Sequence, residues 1–142
     1  MNYSERFSSK FFARLLKPEG QNPIRDRATS FEIIFELLDQ KQKKDNYLIV
    51  ETGCMRGDHK PANSPYALGD DGASTYIFDD FINFYDGEVL SVDIKQANVD
   101  YADKYTSDRT SVYCSDSVKF LWDLDERNKI DFLYLDSFDL DP

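Results

Sequence analysis

Four short apolar runs, each closing on an acid or a small polar residue, alternate with helix-patterned stretches between residues 47 and 136. Tyr47-Leu48-Ile49-Val50 runs into Glu51 and Gly53, and Glu88-Val89-Leu90-Ser91-Val92 ends at Asp93. Ser111-Val112-Tyr113-Cys114 leads to Ser115 and Asp116, and Ile130-Asp131-Phe132-Leu133-Tyr134-Leu135 ends at Asp136. Runs this short fit strands buried on both faces, as parallel sheets require. Between them, Ile77, Phe78, Phe81, Ile82 and Tyr85 recur at helical spacing, as do Val118, Phe120, Leu121 and Leu124, with a short helix expected over 99–105. The alternation predicts an α/β fold whose parallel strands are joined by right-handed crossovers.

The chain before these runs reads differently. Phe7, Phe11, Phe12, Leu15 and Leu16 mark a helix that Lys17-Pro18-Glu19-Gly20 stops, so residues 1–28 are expected to form an accessory helical segment and 29–142 the sheet domain. A second helix is expected to start at Thr29 or Ser30, where Thr29 and Glu32 match a capping box. It would carry Phe31, Ile34, Phe35 and Leu38 on one face, with Lys41, Lys43 and Lys44 in its last turn.

Composition narrows the function classes. Of 142 residues, 41% are hydrophobic, enough for a core, yet no apolar run approaches the ~20 residues that span a bilayer. The N-terminus is polar and charged, unlike a secretory signal, so a cytoplasmic protein with no membrane role is expected. Cys54 and Cys114 stand apart with no metal-ligand or redox spacing, which suits two free thiols. A net charge of −10 repels a phosphate backbone, so no nucleic-acid partner is expected.

In an open α/β sheet, ligands sit beyond the carboxyl ends of the strands. The ends of these four runs therefore define the candidate site. Glycines at 53 and 57 let a ligand approach the first turn closely. Asp93 lies 36 positions after Gly57, and setting aside the 15-residue loop 58–72 leaves 21, close to the ~20 at which dinucleotide folds place a ribose-binding acid. Glu51 at the first strand end disfavours a pyrophosphate and favours a ligand bearing positive charge. S-adenosylmethionine (SAM) carries an ammonium and a sulfonium, and NAD is the weaker alternative.

Val50-Glu51-Thr52-Gly53-Cys54-Met55-Arg56-Gly57 resembles the first motif of class I SAM-dependent methyltransferases, and Leu90-Ser91-Val92-Asp93-Ile94 their second strand. Cys114-Ser115-Asp116-Ser117 is similar to the segment that reaches adenine, and Ile130-Asp131-Phe132-Leu133-Tyr134-Leu135-Asp136-Ser137 to the fourth strand. The resemblance covers about residues 47–140. It implies a Rossmann-like three-layer sandwich with strand order 3-2-1-4, lacking the C-terminal strands that usually complete the sheet. It also implies a transferase of methyl groups to a small-molecule or sugar-like acceptor, with S-adenosylhomocysteine as product. A module that holds SAM without transferring methyl is the second reading, and an NAD-dependent oxidoreductase the third.

By position, the resemblance assigns Glu51 to the methionine ammonium, Gly53 and Gly57 to the turn beside the cofactor, Asp93 to the ribose and Ile94 to the adenine face. Asp116 and Ser117 would meet the adenine edge, and Asp136 would stand beside the transferring methyl. Ser74 and Thr75 would cap a helix whose N-terminal N–H groups face the cofactor carboxylate. Asp136 and His59, the only histidine, are the candidate catalytic bases. Met55 departs from the motif, since it stands where the family has its middle glycine. Asp136, Asp139 and Asp141 read as solvated acids, and no metal site is expected. An apolar fourth strand on an open edge would allow two copies of the chain to pair.

Overall fold

The computed structural model describes residues 1–15, 27–43, 45–55, 73–124 and 129–136. Two compact units divide the chain, Met1–Lys43 and Lys44–Pro142. The division falls beyond the second helix, whereas the sequence pattern placed it at 28/29.

The N-terminal unit is built on aromatic rings. Helix α1 (Tyr3–Phe7) passes through a π-helical turn (Ser8–Phe12) into the short α2 (Ala13–Leu15), and α3 is Arg27–Gln40. Tyr3, Phe7, Phe11, Phe31 and Phe35 are fully or almost fully buried. Tyr3 meets Phe35 edge-on with ring centroids 4.6 Å apart, and Phe7 lies 5.1 Å from Phe35. Asp39 of α3 accepts the Tyr3 and Ser4 backbone N–H groups at 3.2 and 2.8 Å, while Asn2 caps Glu5 at 3.0 Å. Thr29 lies inside α3 rather than at its start, so the expected capping box does not open this helix.

The second unit carries four parallel strands: β1 (Tyr47–Thr52), β2 (Gly87–Asp93), β3 (Thr110–Cys114) and β4 (Phe132–Leu135). Their order is β3-β2-β1-β4, and α4 (Ser74–Phe84), α5 (Gln96–Lys104) and α6 (Ser117–Asp123) connect or flank them. This is the expected α/β, Rossmann-like arrangement. The strand period of two assigns the faces. Ile49, Glu51, Phe132 and Tyr134 share the α4 side, where Phe78 meets Phe132 and Tyr134 at 5.9 and 5.4 Å. Phe120 of α6 reaches Tyr113 on the opposite face, at 5.4 Å.

Several polar contacts fix the frame. Asp131 clamps the start of β4 to β1: its N–H donates to the Leu48 carbonyl, and its carboxylate accepts the Leu48 N–H at 2.9 Å. Asp79 on α4 accepts from the Ser107 and Thr110 hydroxyls at 2.8 and 2.6 Å and from the Ser107 N–H, fastening the approach to β3. Gly87 opens β2 at φ 137°, and a Cβ there would lie 2.0 Å from the Tyr47 carbonyl oxygen. Only glycine fits that crossing. Cys54 is buried, Cys114 is exposed, and both are free thiols. Among the described residues, no helix is long and apolar enough to cross a membrane.

Candidate functional site

All four strands run the same way, so their carboxyl ends share one rim. Glu51 pairs with Ser91 and Thr52 with Val92, which brings Asp93 to the rim beside Gly53. Glu51 and Asp93 therefore stand at the same end of neighbouring strands. Asp93 also pairs with Cys114, two residues before Asp116, and Thr52 pairs with Leu135, one before Asp136.

Glu51 is the most unusual group at this rim. It is fully buried and accepts three hydroxyl hydrogen bonds, from Ser74 at 2.5 Å, Thr75 at 2.6 Å and Ser91 at 2.7 Å. Thr75 Oγ1 in turn accepts the Met55 N–H at 2.8 Å. Burial drives the Glu51 pKa up to about 7; the three hydroxyls oppose that rise, and Asp136 reinforces it. The carboxyl is thus poised between its charged and neutral forms near neutral pH.

Ser74 and Thr75 do not cap α4. The N-cap is Ala73, in the left-handed region at φ 49° with no side-chain cap bond. The two hydroxyls turn to Glu51 because a buried carboxyl with unmet acceptors costs more than an uncapped helix end. This corrects the capping role expected for them.

Asp93 is half-buried and shaped by its own turn. Its Oδ1 accepts the Lys95 N–H at 2.8 Å and the Asn98 amide at 3.2 Å. Burial first, then the charges of Asp93 and Glu51, push the Cys54 thiol far above the usual thiol range. Gly53 takes φ 84° and donates its N–H to the Val92 carbonyl at 2.7 Å, leaving the turn beside Asp93 without a side chain. Ile94 is 71% exposed beyond the end of β2.

The remaining expected residues divide. Asp116 is the N-cap of α6 and accepts the Lys119 N–H at 3.0 Å, with Ser117 opening the helix behind it. Asp136 is exposed and its N–H donates to the Thr52 carbonyl at 2.8 Å, anchoring the end of β4 to β1. Gly57 and His59 lie outside the described residues. The hydroxyl of Thr52, 1% exposed on the face opposite Glu51, has no hydrogen-bond partner among the described residues. Among the described residues, no group of three or more His, Cys, Asp or Glu side chains could hold a metal ion.

Sequence reasoning missed Ser91, Asn98 and the thiol contact of Cys54. Ser91 was legible as a strand residue, but its role depends on the register that sets it opposite Glu51. No family model, curated protein or solved structure matches the chain.

Proposed function

We propose that residues 44–142 form the cofactor-binding portion of a SAM-dependent methyltransferase that acts on a small-molecule or sugar-like acceptor. The observation that carries this reading is the shared rim: Glu51, Gly53, Asp93, Asp116 and Asp136 all stand at the carboxyl ends of parallel strands ordered 3-2-1-4. The chemistry of that rim fits the group. The acids Asp93, Asp116 and Asp136 at this rim suit a ligand with positive charge and a vicinal diol better than a pyrophosphate.

Asp93 would take the ribose hydroxyls, held in orientation by Asn98 and the Lys95 N–H. Gly53 would let the cofactor pass close to the backbone, and exposed Ile94 would offer an apolar surface to adenine. Asp116 has lone pairs for an adenine amino group besides the one its helix cap uses. Glu51 would act on the methionine end through the Ser74 and Thr75 hydroxyls rather than by direct contact.

When bound, SAM supplies an activated methyl group. The protein's share of catalysis is then positioning and water exclusion. Asp136, solvent-facing beside this rim, is the described residue placed to take a proton from an oxygen acceptor.

Titrating SAM and NAD into the chain separates the cofactors: SAM should bind and NAD should not, and the reverse would end this reading. Transfer of labelled methyl from SAM to acceptor pools distinguishes an enzyme from a module that only holds the cofactor. Binding without any transfer would favour the latter.

A further inference from the structure

Glu51 is a fully buried carboxyl group whose hydrogen-bond donors, among the described residues, are all hydroxyls. It has three hydroxyl donors, from Ser74 and Thr75 on α4 and Ser91 on β2. Among the described residues, the titratable groups around it are Tyr134, its register partner on β4, Asp136 at the end of β4, and Cys54 just past β1, with Asp93 beyond it at the end of β2. Among the described residues, none of these supplies positive charge. The three hydroxyl dipoles stabilise a carboxylate so placed, while burial and Asp136 oppose its ionisation.

We infer that the rim exchanges a proton for a cationic ligand: Glu51 holds its proton in the ligand-free protein and releases it when positive charge arrives at the neighbouring turn. The O–H bond of the carboxyl breaks, the proton passes to solvent, and the electron pair stays on Glu51 as the countercharge. The three hydroxyls make this exchange possible without rearrangement, because each can donate to the carboxylate, while one can rotate to accept from the neutral acid. The inference rests on the rim being the SAM site and adds what that site selects for. Ligands are favoured by their charge and not only by their adenosine. Glu51 is then a specificity-determining residue acting through Ser74 and Thr75.

Two consequences separate this from a merely structural carboxyl. Affinity for a cationic ligand should rise with pH through the range where the ligand-free carboxyl titrates, by roughly fiftyfold or more between pH 5 and pH 7.5. An adenosine ligand without charge should show no such rise.

The test is calorimetry on the full chain at pH 6, in buffers of differing ionisation enthalpy. The titrants are SAM and 5′-methylthioadenosine, which has neither ammonium nor sulfonium. The expected result is release of roughly one proton per SAM bound and none for methylthioadenosine. Glu51→Gln should bind SAM without proton release and with affinity flat from pH 5 to pH 7.5. The wild-type comparison of the two titrants stands even if that variant fails to fold. SAM binding with no proton release, or equal release with both titrants, would overturn the exchange while leaving the site assignment intact. Failure of SAM to bind at any pH would overturn both.

Discussion

The Ser74 hydroxyl donates to Glu51 Oε2 at 2.5 Å, so the first residue of α4 is tied to the buried end of β1. With Thr75 and Ser91 on the same carboxyl, one side chain joins two strands and a helix at the rim. The network is both a structural fastening and a titrating group, and the two roles have separable signatures.

The first signature is the pH dependence of stability. The Glu51 pKa is about 7 in the folded chain against an ordinary 4.5, so its contribution is fully present below pH 4.5 and is lost as pH rises through about 7. The difference corresponds to about 3 kcal/mol as an upper figure. Urea unfolding of wild type and Glu51→Gln across pH 4.5–8.5 should show the wild-type advantage shrinking, or reversing, by up to that amount. A gap constant with pH would mean that the carboxyl does not titrate in this range.

Ser91→Ala probes the same group from β2. The lost hydroxyl stabilises the ionised carboxyl more than the neutral one, so the cost should be about 1 kcal/mol at pH 5.5 and about 2 kcal/mol at pH 8.5. Equal costs at both pH values would argue that Ser91 serves packing alone.

Gly87→Ala should destabilise the sheet unit by about 3 kcal/mol, since the added Cβ would meet the Tyr47 carbonyl and the backbone is held at positive φ. The melting temperature reads this directly. A change within a degree or two would mean that the crossing between β1 and β2 is looser than described.

Asp79→Ala should cost about 2–3 kcal/mol, because the Ser107 N–H and the buried Thr110 hydroxyl both lose their acceptor. Asp79→Asn keeps an acceptor and should recover part of the loss. An alanine variant as stable as wild type would show that water replaces the carboxylate.

Much of this fold could be read from its pattern, because short apolar runs ending in acids leave few arrangements open. The strand ends at Glu51, Asp93, Asp116 and Asp136 were legible for that reason. The partners of those acids were not. A hydroxyl such as Ser74 reads equally well as a helix cap or as a donor to a distant carboxyl, and only the placement of α4 beside β1 decides which. Asp116 shows the converse: an acid at a strand end is also an acid at a helix start, and here it caps α6. The N-terminal unit was legible in its aromatic spacing, but its reach to Lys43 depends on ring contacts such as Phe7 with Phe31 and Phe35. Sequence spacing alone gives no distance between helices.

The most direct measurement is a calorimetric titration of SAM into wild type and Asp93→Ala side by side. Saturable binding at one site per chain is expected, weakened in the variant by about 1.5–3 kcal/mol, the range for hydrogen bonds to a charged group. Affinity unchanged by the substitution, or no binding to the wild type, would contradict it.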